Sequence, residues 1–214
     1  MDPSDSWTQP HLDRSALLVI DVQADFLDGG ALPVPGTSSL VPSLGALTTA
    51  FRRAGRPLFH VVRLYAVADV DLVRRGLVAD GVGPVRPGPD GARVPAGLLG
   101  RDVAPDPDVL LAGRPQEVGP GEWLLWKPRW SAFHRTGLED LLRALDVDTV
   151  VVAGCNLPNC PRATILDASQ RDFRVVMVVD AISGGSDERW GDLRGIGAVG
   201  MATADLVAAL GDFR

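Results

Sequence analysis

A chain of 214 residues with 46% hydrophobic and 22% charged residues suits one domain with a real buried core. Its net charge of −6 argues against nucleic acid or an anionic membrane surface as the main partner, because either needs a basic face. No apolar run approaches the roughly 20 residues of a membrane span, and no basic segment precedes an apolar one at the N-terminus, so a cytoplasmic protein whose partners are small molecules or proteins is expected.

Residues 1–14 form a polar leader to one domain that spans 1–214. Ser15 to Asp21, S-A-L-L-V-I-D, is a continuous apolar run ending in an acid, which predicts a buried first strand with Asp21 at its carboxyl end. Thr37 to Ala54 places Leu40, Leu44, Leu47 and Phe51 at helical spacing, with Thr37 or Ser38 as N-cap and Gly55 as stop. Pro57 to Tyr65 predicts the second strand and Asp69 to Asp80 a short helix. Gly81 to Gly121 is dense in Pro and Gly without clear periodicity. A segment of that length reads as a functional lid, an interface loop or a disordered insert.

Glu122 to Trp126 predicts a third strand leading into K-P-R-W-S-A-F-H, and Gly137 to Leu145 a helix with Leu138, Leu141, Leu142 and Leu145 on its inner stripe. Thr149 to Ala153 is the fourth strand, Cys160 to Phe173 the helix after it, and Arg174 to Asp180 the fifth strand. A helix from Asp187, a short segment around Val199 to Ala202 and a last helix capped by Thr203 complete the pattern. Solid Val/Ile/Leu runs alternating with amphipathic helices imply a single α/β domain. Its mostly parallel sheet carries helices on both faces in a Rossmann-like, three-layer arrangement. Ligands of such sheets sit at the carboxyl ends of the strands, where Asp21, Lys127 and the Cys155 to Cys160 loop all fall.

That loop belongs to V-V-V-A-G-C-N-L-P-N-C-P-R-A-T, Val150 to Thr164, which holds both cysteines. A thiol at the first turn of a helix is where the helix dipole and free N–H groups favour a thiolate, so Cys160 is a candidate nucleophile; its other reading is a buried structural thiol. Cys155, only five positions away, makes a poor disulfide partner and reads as structural. Of the 21 basic residues only Lys127 is lysine. Either chance retained it, or a compact ammonium is needed where a guanidinium would not serve. An acid, a lysine and a cysteine at one sheet edge form a coherent set: the carboxylate accepts the thiol proton, the ammonium holds the carboxylate and favours the thiolate, and the sulfur attacks a carbonyl. Arg63 and Tyr65 read as substrate contacts or as a surface salt bridge and a packed ring. Phe26, Trp130 and Phe133 wall the pocket or belong to the core, and Arg162 holds an anionic group or pairs with an acid. His60, alone in mid-strand, reads as a satisfied core residue rather than a ligand.

Three motifs carry a family resemblance: I-D-V-Q-A-D-F at Ile20 to Phe26, K-P-R-W-S-A-F at Lys127 to Phe133, and V-V-A-G-x-x-x-x-N-C at Val151 to Cys160. In this order and spacing the sequence resembles the isochorismatase-like cysteine hydrolases, in their amidohydrolase branch. The resemblance implies Asp21 as general base, Lys127 as its electrostatic partner and Cys160 as nucleophile. It further implies a non-proline cis peptide between Cys155 and Asn156, and an oxyanion hole made by the N–H groups of Asn156 and Cys160. The implied reaction is hydrolysis of a C–N bond in a small amide, ureide, imide or lactam through a thioester, without a cofactor. Nicotinamidase-like relatives carry a metal site built from an acid and several histidines. Here His11, His60 and His134 are scattered, so no catalytic metal is expected. The resemblance also implies a homo-oligomer, a dimer or tetramer, for which the regions around Trp126 and Trp190 would supply contacts. Two rivals remain: a vinyl ether hydrolase of the true isochorismatase type, and a non-catalytic binding or scaffold protein that kept the fold.

Overall fold

The computed structural model describes residues 7–66, 69–79, 83–88 and 90–211, which leaves the start of the leader, Asp80 at the end of the expected second helix, and residues 81, 82 and 89 of the Pro/Gly-rich segment outside the described residues. In chain order the elements are β1 (Ser15–Ile20), α1 (Val41–Arg53), β2 (Leu58–Val62), α2 (Arg75–Ala79), α3 (Ala96–Leu99), α4 (Pro107–Leu110), β3 (Gln116–Gly119), β4 (Glu122–Trp126), α5 (Leu138–Ala144), β5 (Thr149–Gly154), α6 (Cys160–Ser169), β6 (Arg174–Ile182), α7 (Asp187–Arg194), β7 (Val199–Met201) and α8 (Thr203–Gly211).

Among the described residues the strands form one seven-stranded sheet in the order β3-β4-β2-β1-β5-β6-β7. Every pairing is parallel except that of β3 with β4. All six residues of β1 are buried because the strand is covered on both sides. Leu17 and Val19 face a cluster with Leu44, Leu47 and Phe51 of α1 and Leu206 and Leu210 of α8. Ala16, Leu18 and Ile20 face the opposite cluster, with Leu138 and Leu142 of α5, Ile165 and Ala168 of α6, and Trp190 and Leu193 of α7.

The Pro/Gly-rich segment departs from its expected reading. It folds α3, α4 and the antiparallel edge strand β3, and buries Val85, Ala92, Val94, Leu98, Leu99, Leu110 and Val118 in the α1 side of the core. Short elements broken by Pro and Gly leave no period to read, although each supplies apolar side chains. The motif at the end of β1 helps dock it: Gln23 Nε2 donates to Ala92 O at 2.8 Å, and Asp25 accepts the Val85 N–H at 2.6 Å. A Cβ on Gly91 would lie 2.1 Å from the Asp25 carboxylate, so glycine is what lets the segment approach.

Other expectations are also revised. Thr37 does not cap α1; its hydroxyl lies 3.0 Å from Ser183 Oγ, and Pro42 opens the helix instead. The last helix is capped across the sheet, since Asp180 accepts both the N–H and the hydroxyl of Thr203 at 2.8 Å. Leu145 is exposed rather than on the inner stripe of α5. Trp190 is buried in the core and Trp126 is partly buried, with its indole N–H on Leu64 O at 3.3 Å, so neither is an open contact surface.

One buried polar network crosses four elements. Arg52 of α1 donates to both Glu122 oxygens at 2.8 and 2.7 Å and to Leu98 O, while His60 Nε2 pairs with Glu122 Oε1 at 2.7 Å. His60 is therefore half-satisfied, for its Nδ1 is buried without a partner. Burial holds its pKa below the ordinary 6.5, against the pull of Glu122. The unfolded chain gains a proton on this residue as pH falls through 6.5 while the folded chain does not, so the contribution to stability is complete above that value and is lost below it. Glu122 follows in a lower window. Burial raises its pKa, but hydrogen bonds from Arg52 and His60 outweigh it and leave the group below 4.5. The melting temperature should thus fall between about pH 7 and about pH 5.5, and this slope should flatten in His60→Gln, which can still hydrogen-bond Glu122 but does not titrate. Parallel thermal-melt profiles for the two proteins would contradict the assignment.

Candidate active site

Four adjacent strands, β4, β2, β1 and β5, deliver the site from their carboxyl ends. Asp21 follows β1 with φ of 54°, a left-handed conformation that costs a non-glycine residue about 1–2 kcal/mol, and its N–H is fixed to Val61 O at 2.9 Å. Lys127 follows β4, and its N–H extends the β2 ladder by a bond to Val62 O at 3.0 Å. Its ammonium reaches Asp21 Oδ2 at 2.9 Å and Arg129 O at 3.3 Å, with no solvent exposure. The lone lysine and the acid are therefore a buried ion pair.

Cys160 opens α6 after a tightly held loop. Gly154 adopts φ of 115°, where a Cβ would meet Ile20 O at 2.3 Å, so the end of β5 admits only glycine. The loop is tied down by Leu157 N–H to Ser183 O at 2.7 Å and Asn159 N–H to Asn156 O at 3.1 Å. Thr164 accepts the Ala132 N–H at 3.0 Å and donates to Cys160 O at 2.8 Å, which couples α6 to the segment after Lys127. All described peptide bonds are trans, so the cis bond expected between Cys155 and Asn156 is absent; rotation at Gly154 and at Asn159 (φ −119°, ψ −99°) turns the chain. The N–H groups of Asn156 and Cys160 donate to no backbone carbonyl among the described residues.

The electrostatics correct another expectation. Burial pushes the Cys160 thiol up, the adjacent Asp21 carboxylate adds to this, and Lys127 and Arg63 pull the other way without prevailing. The surroundings thus favour the thiol over the thiolate. Asp21 Oδ1 is buried with no hydrogen-bond partner, and the carboxylate as a whole adjoins the Cys160 thiol. Cys155 is a different kind of thiol: burial drives it to about 12 despite hydrogen bonds with Thr37 and Ser183. Both cysteines are free.

These groups line a cavity of about 50 Å³, walled by Phe26, Tyr65 and Trp130 and by Leu32 and Val34, which sequence reasoning missed. Burial raises the Tyr65 hydroxyl to about 12. Arg63 is no surface residue: it is 3% exposed, its Nη1 bonds Asp71 Oδ2 and Pro128 O at 3.2 Å each, and its Nη2 lies 3.7 Å from Cys160 Sγ. Asp71 escaped notice because nothing in D-V-D-L-V-R-R distinguishes a buried acid from a helix-start acid. Arg162 does not join the pocket; it is half-exposed and pairs with Asp192 of α7 at 3.4 Å. Phe133 packs in the core against Phe173 instead of lining the cavity. The histidines do not converge either: His11 pairs with Asp148 and His60 with Glu122.

Comparison with known proteins places this geometry. A probable inactive nicotinamidase of Arabidopsis thaliana is 33% identical over 180 residues, 82% of this chain and 83% of the relative. A maleamate amidohydrolase of Pseudomonas putida is 33% identical over 172 residues, 79% and 72% of the two chains. The crystal structure of an isochorismatase family protein from Desulfovibrio vulgaris superposes with a TM-score of 0.78 at 33% identity, covering 92% of this chain and 98% of that one. The isochorismatase domain profile matches residues 15–193, and the chain belongs to the isochorismatase family.

Proposed function

We propose that this protein is a cysteine-dependent amidohydrolase that cleaves the C–N bond of a small amide, ureide, imide or lactam through a thioester on Cys160. The observation that supports it is a buried carboxylate, Asp21, held by Lys127 through Oδ2 and adjoining the Cys160 thiol, with its Oδ1 buried and unpartnered. Asp21 removes the thiol proton and the sulfur attacks the carbonyl carbon. The N–H groups of Asn156 and Cys160 then receive the oxyanion, where losing one donor typically costs on the order of a hundredfold in rate. Asp21 returns its proton to the leaving nitrogen, and water activated by the same carboxylate releases the acid and restores the thiol. Phe26, Tyr65 and Trp130 wall a narrow cavity, which suits a small acyl group. The mechanism uses no cofactor or metal, and it needs a free thiol, which suits a reducing cytoplasmic setting.

The name of the Arabidopsis relative supplies the second reading, a family member without turnover. The two readings part on variants assayed against a panel of amides, ureides and lactams. Cys160→Ala leaves the ion pair intact and should abolish hydrolysis without loss of melting temperature. Asp21→Asn and Lys127→Ala should abolish it too, at a further cost of about 3–5 kcal/mol in stability because each strands a buried charge. An active Cys160→Ala enzyme would refute the covalent mechanism, and a wild-type protein inert on the whole panel would favour the non-catalytic reading.

A homo-oligomer, dimer or tetramer, is part of the same proposal. Trp130, Leu72, Val73 and Leu77 are exposed apolar side chains from the segments that flank the cavity, the kind of surface that association covers. Sedimentation at micromolar concentration should give a species of at least two chains; a monomer would count against it.

A further inference from the structure

The proposed mechanism gives Lys127 to the base, so that it favours the thiolate only while bonded to the Asp21 carboxylate. When Asp21 takes the thiol proton, the negative charge moves to a sulfur that is only 8% exposed. Lys127 is spent on Asp21 Oδ2 and Arg129 O, so its ammonium stays with the carboxylate. A different cation touches the sulfur. Arg63 Nη2 stands 3.7 Å from Sγ, on the edge of a guanidinium whose other amino group is held by Asp71 and Pro128 O.

We infer that Arg63 is a second catalytic cation, which holds the negative charge of the Cys160 thiolate, and that Asp71 is the positioning residue that aims it. This inference rests on the cysteine hydrolase reading. The backbone of Arg63 is fixed as firmly as its side chain: its N–H donates to Gln23 Oε1 at 2.8 Å and its carbonyl accepts from Gln23 Nε2 at 2.9 Å. The Gln of I-D-V-Q-A-D-F thus joins the residue after Asp21 and Val22 to the end of β2, and the base and the second cation are set in one register. The Tyr65 ring lies 5.8 Å from the guanidinium carbon and contributes a further wall. A group introduced only to bind substrate would present free donors to the cavity, whereas both amino groups of Arg63 already have protein partners.

Charge balance supports the assignment. Burial works against the Arg63 charge, yet Asp21 and Cys160 together hold the group above its ordinary range, so it stays a cation. The charged and titratable groups that act on Cys160 are Asp21 after β1, Arg63 after β2, Lys127 after β4 and Cys155 after β5, with Asp71 acting through Arg63, and Tyr65 and Arg74 line the same cavity. Of these, Arg63 and Lys127 favour the thiolate and Asp21 opposes it. In the reaction the thiol S–H bond breaks, its proton goes to Asp21, and the electron pair stays on sulfur opposite the guanidinium. Guanidinium is preferred there because its planar fork reaches sulfur, carboxylate and carbonyl at once, which an ammonium cannot do.

The test is the pH dependence of Cys160 alkylation by iodoacetamide, followed on the Cys160 peptide by mass spectrometry, in wild type, Arg63→Gln, Arg63→Lys and Asp71→Asn. Removing the charge should raise the alkylation midpoint by at least about one pH unit, a tenfold slower reaction at neutral pH. Arg63→Lys keeps the charge but not the fork, so its midpoint should fall between those of Arg63→Gln and wild type, and Asp71→Asn should shift the midpoint the same way by less than Arg63→Gln. Folded Arg63→Gln with a wild-type midpoint would overturn the inference, most plainly if only KM for an amide rose. Should Arg63→Gln fail to fold, Asp71→Asn and Arg63→Lys carry the test, and wild-type midpoints in both would overturn it equally. Alkylation needs no substrate, so this failure is separate from that of the hydrolase reading, which falls only if Cys160→Ala still turns over.

Discussion

The ion pair between Lys127 and Asp21 is closed off from solvent, with Lys127 fully buried and Asp21 4% exposed, at 2.9 Å. Taking two charges out of water costs several kcal/mol per ion, and a hydrophobic pair of similar volume would often be no less stable. A fold that only needed a core would gain nothing by it. Here the pair fixes one oxygen of a carboxylate that adjoins the Cys160 thiol and leaves the other oxygen buried without a hydrogen-bond partner. Everything around it serves that placement: the left-handed turn at Asp21, the extension of the β2 ladder to Lys127, and the glycine that lets β5 pass against Ile20.

The sheet makes this possible by bringing distant positions together. Asp21, Arg63, Lys127 and Cys160 follow β1, β2, β4 and β5, which are adjacent in the order β4-β2-β1-β5, although the chain enters them far apart. A parallel sheet directs all four carboxyl ends to one edge. The two cations then divide the work: Lys127 on the carboxylate and, by our inference, Arg63 on the sulfur. Cys155 lies five residues from Cys160 and also feels the Asp21 carboxylate, but it hydrogen-bonds the hydroxyls of Thr37 and Ser183, whereas Lys127 and Arg63 act on Cys160.

Much of this was legible in the sequence, for definite reasons. Buried parallel strands read as solid apolar runs, and the helices between them keep a 3.6-residue period, so the central strands and most helices were clear. Asp21, Lys127 and Cys160 stood at strand ends inside motifs, where position carries meaning. What escaped depends on tertiary partners. Asp71 looks like any acid before a short helix until Arg63 is found above it, and Arg162 looks like a pocket residue until Asp192 of the next helix claims it. The segment 81–121 concealed β3 and two short helices because Pro and Gly interrupt each before a period can develop. At the start of α6, burial and a neighbouring carboxylate work against the thiolate that a helix terminus favours.

The chain belongs to the isochorismatase family, whose relatives include proteins named as amidohydrolases. The central claim is covalent: during turnover the acyl group resides on Cys160. Rapid acid quench of the enzyme in the course of amide hydrolysis, followed by peptide mass spectrometry, measures it directly. The Cys160 peptide should carry the acyl mass while substrate lasts and lose it as substrate is consumed, with the Cys155 thiol unmodified. Sustained turnover with the Cys160 thiol unmodified at every time point would contradict the account.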